Sequence, residues 1–442
     1  MGRATRARGS GRDNISGNES HIEIAREPKV SGTLSLLRIP DIRTLLTARF
    51  ISMFGSAATV LAVQLLVLDL TGSTAALGLT AVLAALPSVT IGFVAGGVAD
   101  RFNRRQLMIG ADLVRAVLVM LIIPASQLGE AAFPAIAVLT LLQGIAGSFF
   151  SPANTAVIAR LVPEDRRVNI GSLQQTLLIV TNLLGVSFAG IVLGLSGNRD
   201  LLFAIDAVSF LVAGLMMLLI PRHAGQPEAT EHELSERKGL GLREGLAVVR
   251  ASRMLMAITI GPAIVMLGVG AINVLFVPFV YKELQAPLAL AGVIEGSMLV
   301  SMLIGSALAP ALVAKISAER ALWAALIACG ALLLLWGGVT ELWQFVALFF
   351  ALGFAQSPIN IVASTIFMNN TTDAVRGRVG AVFSGVTEGA SLLSMAGAGT
   401  AAALVGMRGT FVAAGALCLI GGVVTALLVT GAVNERREKI AS

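Results

Sequence analysis

Long apolar runs separated by short polar breaks repeat along this chain. Counted against the roughly 20 apolar residues a helix needs to cross a bilayer, there are about twelve such runs. The first half predicts spans over Arg43 to Leu70, Ala75 to Ala99, the stretch ending near Ala125, Phe133 to Leu161, Ile170 to Leu195 and Leu201 to Ile220. The second half predicts Leu255 to Tyr281, Leu288 to Ala314, Ala321 to Thr340, Trp343 to Phe367, Val379 to Val405 and Phe411 to Val433. Between the halves, Arg222 to Arg253 is polar and mixed in charge, and Leu240 to Val249 alternates like a surface amphipathic helix. The expected organisation is a disordered tail (1–40), a six-helix half (41–221), a central loop (222–253), a second six-helix half (254–433) and a charged tail (434–442).

The breaks carry the charge. Gly96 to Arg105 packs Asp100, Arg101, Arg104 and Arg105 between two spans, and such a knot must lie at a membrane face. Taking that face as cytoplasmic puts Arg101, Arg104, Arg105, Arg160, Arg166, Arg167, Lys315, Arg320, Arg376 and Arg378 in inside loops. Only Arg199, Lys282 and Arg408 then lie in outside loops. That asymmetry satisfies the positive-inside rule and predicts both termini in the cytoplasm.

Composition narrows the class. The chain has 442 residues, 56% hydrophobic and 13% charged, with mean hydropathy +0.84. A soluble domain carries about 25% charged residues, so a water-soluble globule is excluded. The net charge of +6 is spent in short loops and tails, which argues against nucleic acid as a partner. Met1 to Lys29 lacks the apolar core of a cleavable signal peptide. Cys329 and Cys418 lie in apolar runs and suggest neither a disulfide nor a metal site. His21, His223 and His232 fall in polar segments, and there is no phosphate-binding loop. No enzyme and no cofactor is expected.

An internal repeat supports two parallel halves. Ser151-Pro152-Ala153-Asn154 in the fourth run recurs as Ser357-Pro358-Ile359-Asn360 in the tenth. Halves related by an axis along the membrane normal place a binding site between them near mid-depth.

These residues resemble the major facilitator superfamily. Gly96, Asp100, Arg101, Arg104 and Arg105 match its loop 2–3 motif, with Asn103 where a glycine is usual. Asn tolerates the left-handed backbone such a turn would need. Ala48-Arg49-Phe50-Ile51-Ser52, Asp69-Leu70-Thr71-Gly72-Ser73, Asp112-Leu113-Val114-Arg115, Phe149-Phe150-Ser151-Pro152-Ala153 and Asp206-Ala207-Val208-Ser209-Phe210 narrow the likeness. Together they look like the drug:proton antiporter branch that holds macrolide-efflux proteins and the enterobactin exporter. The resemblance covers Ile42 to Val433. It implies an all-α membrane fold of twelve transmembrane helices in two pseudo-symmetric halves, in a bacterial inner membrane. Two departures stand out. Thr140 replaces the arginine of an Arg-x-x-Gln-Gly pattern that retains Gln143-Gly144, and Gly185-Val186 replaces Gly-Pro.

Candidate chemistry follows. Asp100 with Arg101, Arg104 and Arg105 forms the family's conformational gate, or the arginines only set topology; the equivalent loop near Lys315 has no acid. Ionisable groups within spans cost about 2.5–3.5 kcal/mol each on insertion scales and are functional suspects. Asp112 and Arg115, three apart, are expected to pair. Glu388 lies ten residues past Arg378, about 15 Å deep at 1.5 Å per residue, with no helix-mate of opposite charge. It is the first candidate for proton coupling, followed by Glu295, Asp206 and Asp112. Arg49 either reaches the surface or balances one of these acids. Gln64, Asn182, Asn273, Gln356 and Asn360 are polar in apolar spans and either contact substrate or bond neighbouring helices. Met266, Met298 and Met302 suit an adaptable pocket, and Trp336 and Trp343 suit an interfacial belt.

The expected function is export of amphiphilic small molecules by a monomer, driven by a proton gradient through alternating access. A dedicated exporter of one metabolite, such as a siderophore or self-made antibiotic, is the alternative. A non-transporting sensor is disfavoured because the central loop is too short for a folded domain.

Overall fold

A computed structural model describes residues 35–163, 166–226 and 241–441. Most of the expected N-terminal tail, the middle of the central loop, Glu164, Asp165 and Ser442 lie outside the described residues. At some helical positions, Asp100 and Asn360 among them, only the backbone is described.

Among the described residues, ten helices are long and apolar enough to cross a membrane. One of them covers two crossings: Asp373–Ala441 is broken at Gly406, whose φ of 77° leaves the helical region. A further crossing is made by two shorter helices, so the chain is consistent with twelve. We label them α1 (Pro40–Thr71), α2 (Thr74–Thr90 with Gly92–Arg101), α3 (Arg104–Met120 with Ile122–Ala125), α4 (Ala132–Leu161), α5 (Arg167–Ser196) and α6 (Arg199–Met217). The second half has α7 (Arg253–Val277, continued by a π turn Pro278–Glu283), α8 (Ala291–Ile316), α9 (Ala318–Trp336), α10 (Leu342–Asn370), α11 (373–405) and α12 (407–441). A linker helix, Gly241–Ala251, precedes α7.

Local chemistry places the helix ends. Ser73, Asn198 and Ser252 cap α2, α6 and α7 through their side-chain oxygens. Gly72 and Gly197 end α1 and α5 in the left-handed conformation. Asn103 departs from expectation. Its backbone is extended (φ −64°, ψ 111°) instead of left-handed, because its Oδ1 accepts from the amides of Arg105 (3.1 Å) and Gln106 (3.3 Å) as the N-cap of α3. Asn434 to Ala441 does not leave the helix; α12 runs on through this charged, helix-favouring stretch.

Apolar side chains cover both faces of the helices. On α8, Val300, Leu303, Ile304 and Leu308 form an exposed stripe suited to lipid. Within each half, α1 packs on α5 and α6, α3 on α4 and α6, and α7 on α11 and α12. Trp336 is not an interfacial residue. It is fully buried, 4.8 Å from Phe345 and 5.2 Å from Phe411 between ring centroids, because α9, α10 and α12 converge around it. Trp343 is 70% exposed.

The two halves meet along two related seams, α2 against α11 and α5 against α8. Both seams are closed by bare backbone. A methyl group on Gly399 would collide with the Thr74 carbonyl, and one on Gly292 with Ser187. The Thr74 hydroxyl donates to the Gly399 carbonyl at 2.8 Å. These contacts lie at the end of the molecule opposite Arg101–Arg105, hereafter the far end; the end carrying those arginines is the basic end. At the basic end, Gly92–Arg101 of α2 packs on α3 and α4 of its own half.

Candidate functional site

Two cavities meet at α1. The first, about 630 Å³, lies within the first half and is lined by Ser56, Thr59 and Gln64 (α1), Thr80 and Ser88 (α2), Arg115 (α3), Thr140, Gln143, Ser148 and Ser151 (α4) and Asp206 (α6). The second, about 530 Å³, lies against the second half and is lined by Gln64, Asn182, Met266, Asn273, Phe276, Glu295, Met298, Phe349 and Gln356 among others. Both include Val60 and Gln64, so they share one wall. The repeated Ser-Pro motif contributes to each: Ser151 and Pro152 line the first cavity, Ile359 the second. Pro152 and Pro358 both sit inside their helices.

The second cavity gathers four of the five predicted polar residues: Gln64, Asn182, Asn273 and Gln356. The Gln64 amide donates to the Asn273 carbonyl at 3.3 Å, tying α1 to α7 across the halves. The Asn182 amide donates within its own helix, to the Leu178 carbonyl at 3.0 Å. The side chain of Asn360 lies outside the described set. Among the described residues, Glu295 is the one charged residue lining this cavity. It has no hydrogen-bond or ion-pair partner among the described residues. A carboxyl among Met and Phe side chains is costly to keep charged without such a partner.

The first cavity ends on a buried charge network. Asp112, fully buried, lies 3.8 Å from Arg115 of the same helix. Its carboxylate accepts no hydrogen bond from the described residues. The Arg115 guanidinium also stacks 4.0 Å over the Phe210 ring. Asp206, almost fully buried, accepts from the Ser209 hydroxyl at 3.1 Å. Arg49 lies over the Phe150 ring at 4.9 Å instead of reaching the surface. Sequence spacing had assigned Arg115 only to pairing with Asp112. Its guanidinium in fact lines the cavity on which Thr140 and Gln143 also open. The available signal was the run of polar residues Thr140, Gln143, Ser148 and Ser151 on one helix.

Glu388 stands apart. It is exposed, lines neither of these cavities, and has no ion-pair partner among the described residues. It lies seven residues before Met395 and eleven before Gly399, so it shares the α11 face that meets α2 at Gly78 and Thr74. It therefore lies on that face of α11 but toward the basic end of the seam contacts, where it is exposed.

At the basic end, Asp100 belongs to helix Gly92–Arg101, and its side chain lies outside the described set. Arg101 is exposed. Arg104 and Arg105 turn inward and are buried. Arg105 donates to the Met217 and Leu218 carbonyls (2.9 and 2.6 Å), satisfying the end of α6. Arg104 and Arg160 both donate to the Gln226 carbonyl (3.4 and 2.8 Å). On the other half, Arg378 pairs with Glu244 of the linker helix at 2.6 Å, and Gly245 packs on the Arg378 backbone.

All three cations of the far-end loops are paired. Arg199 bonds Asp69 within the first half, and Arg408 pairs with Glu283 within the second at 2.6 Å. Lys282, beside Glu283, reaches across to Asp69 at 3.2 Å.

Two six-helix halves with cavities at mid-depth, touching closely along two far-end seams, define a membrane transporter fold. The chain belongs to the major facilitator family described as transmembrane secretion effectors, whose profile matches residues 31–440. It is 25% identical over 388 residues to the MFS-type transporter YfiS of Bacillus subtilis (strain 168), covering 86% of this chain and 91% of that protein. Macrolide efflux protein A of Streptococcus pyogenes is 24% identical over 235 residues, 53% of this chain and 57% of that protein. Among solved structures, a bacterial homologue of the iron transporter ferroportin in an inward-facing state matches with a TM-score of 0.72 at 14% identity, covering 89% of this chain and 99% of that one. The chain is a multi-pass membrane transporter of the major facilitator type.

Proposed function

We propose that this protein exports amphiphilic small molecules from a bacterial cell by proton antiport, with the basic end in the cytoplasm. The distribution of arginine and lysine among the short loops supports that orientation. With it, the far-end contacts correspond to a closed outer side, and the conformation described is inward-facing. The observation that carries the proposal is Glu295: among the described residues, the one charged lining residue of a cavity of about 530 Å³ built from Met, Phe and amide side chains. Such a surface suits an apolar substrate with few polar groups. A lone carboxyl there is the group for which a proton and a substrate would compete.

Glu295 thus takes precedence over Glu388 as the coupling acid. Asp112 and Asp206, both close to Arg115, are balanced by a fixed cation and serve better to hold α3 and α6 in register. The test is uptake of a fluorescent lipophilic dye into inverted membrane vesicles under an imposed pH gradient. Acidifying the lumen should drive uptake, and collapsing the gradient should stop it. Uptake that ignores the gradient would remove proton antiport, and no uptake of any amphiphile would remove the export reading.

A further inference from the structure

The π turn that ends α7 carries three side chains to three different places. Pro278 has no N–H to give the preceding turn, and the ladder beyond it widens. The Leu284 amide bonds the Phe279 carbonyl (2.9 Å) and the Ala286 amide the Val280 carbonyl (3.0 Å). Tyr281 turns into the protein, buried and edge-on to Phe276 with ring centroids 6.5 Å apart. Lys282 crosses to Asp69 of the first half at 3.2 Å, and Glu283 meets Arg408 of its own half at 2.6 Å. Wide turns of this kind are uncommon and concentrate at functional sites.

Tyr281 is left with an unused donor. Its hydroxyl is buried and has no hydrogen-bond partner among the described residues, a costly state for a phenol. A complementary group stands close by. Residues 284–290 join the π turn to α8, and Glu295 lies one turn into that helix. It lines the cavity on which Phe276 also opens, and the Tyr281 hydroxyl is within its electrostatic reach. Donor and acceptor are thus neighbours, both unpaired, and not bonded to each other. The other spans packed on α8 bring Glu295 no competing charge: α5 and α10 offer the Asn182 and Gln356 amides, and α9 the Cys329 thiol.

We propose that Tyr281 is a positioning residue for Glu295: when the far end opens and Lys282 leaves Asp69, the turn relaxes and the Tyr281 hydroxyl donates to the Glu295 carboxylate. This rests on the antiport reading above and adds how the state of the acid reaches the far-end gate. A hydrogen bond to an ionised carboxylate is about twice as strong as one to a neutral acceptor. Ionised Glu295 therefore favours the far-end-open form, and protonated Glu295 the closed one. A proton taken up from the far side then closes that side, which is the order antiport requires.

The test uses the full chain in lipid nanodiscs, spin-labelled at Gln127→Cys and Gly338→Cys on the far-end loops of the two halves. Tyr281→Phe keeps the ring against Phe276 and removes only the hydroxyl. With Tyr281 present, the ratio of far-end-open to far-end-closed molecules should rise about tenfold between about pH 5 and about pH 9, as one bond to a charged group allows. In Tyr281→Phe the rise should shrink to about threefold or less, whereas a merely structural hydroxyl would shift the ratio equally at every pH. In the Glu295→Gln background, removing the hydroxyl should leave the pH profile unchanged. Because the hydroxyl is unbonded in the closed form, Tyr281→Phe should melt no lower than its parent at about pH 5. A full pH response in Tyr281→Phe, a parent ratio that ignores pH, or a melting temperature lowered by more than about 3 °C would overturn the role of Tyr281. Gradient-driven dye uptake by the unlabelled wild type separates the two readings. Uptake that follows the gradient beside an undiminished pH response in Tyr281→Phe removes Tyr281 alone, and uptake that ignores the gradient removes antiport and this role with it.

Discussion

Lys282 is the clearest place to perturb the balance between the two ends. Its ammonium group lies 3.2 Å from Asp69, and that bond joins the halves. The Asp69–Arg199 pair stays within the first half, so of the two ion pairs of Asp69 opening the far end breaks only the one to Lys282. Both side chains are nearly half exposed, 46% for Lys282 and 43% for Asp69. Solvent screening therefore keeps the interaction to about 0.2–1 kcal/mol. Lys282→Met should raise the ratio of far-end-open to far-end-closed molecules by about 1.4- to 5-fold, since 1.4 kcal/mol corresponds to about tenfold. Spin labels at Gln127→Cys and Gly338→Cys, exposed sites on the far-end loops of the two halves, report that ratio as a distance distribution. The native Cys329 and Cys418 are buried and should remain unlabelled. At about 1 M salt, where the Debye length is near 3 Å, the wild type should move toward the variant. An open fraction that Lys282→Met leaves unchanged at low salt would refute the idea that this bond holds the far end shut.

Other substitutions separate the remaining roles. Glu295→Gln keeps the shape and hydrogen-bonding capacity of the side chain but holds no exchangeable charge, so dye uptake should lose its dependence on the imposed gradient while dye binding persists; retained gradient dependence would move the coupling role to another acid. Arg105→Met should lower thermal stability in detergent by about 2–4 kcal/mol, because it strips charged donors from two carbonyls at the end of α6, whereas Arg101→Met should change it by less than about 0.5 kcal/mol. Equal losses would contradict the inward orientation of Arg105. Gly399→Val should prevent closure of the α2–α11 seam, seen as a far-end-open distance distribution that substrate does not reverse. Trp336→Ala should cost about 3–5 kcal/mol; a loss under 1 kcal/mol would argue that the aromatic cluster is not a packed core.

Much of this architecture is legible in the chain because lipid imposes a simple rule on it. Apolar runs of bilayer length must be helices, and their breaks must lie at the faces. The same rule makes a polar side chain inside a span conspicuous, which is why Gln64, Asn182, Asn273, Gln356 and Glu295 could be picked out and are found around one cavity. Rotation about the helix axis is harder to read. By sequence Glu388 lies near mid-depth and Glu295 closer to the outer face, which puts Glu388 first; yet Glu295 lines a cavity and Glu388 does not, and only the packing of neighbouring helices distinguishes them. Hydroxyl residues are quieter still, since Ser and Thr satisfy themselves on the preceding turn and give no sign of facing a cavity. Trp336 and Trp343 occupy similar positions beside one loop, but three converging helices enclose only the first. The inward turn of Arg104 and Arg105 depends on where α6 ends, which lies far along the chain from those arginines.

The way the central connection is fastened has a practical consequence. Its leading end is pinned to the first half, where Gln226 receives Arg104 and Arg160. Its trailing end is pinned to the second, where Glu244 meets Arg378. Each half thus holds its own end of the connection, and neither set of contacts depends on the other. A cut between Gln226 and Gly241 should therefore leave both sets intact, and two separately translated halves should find each other in the bilayer and reassemble through their glycine seams.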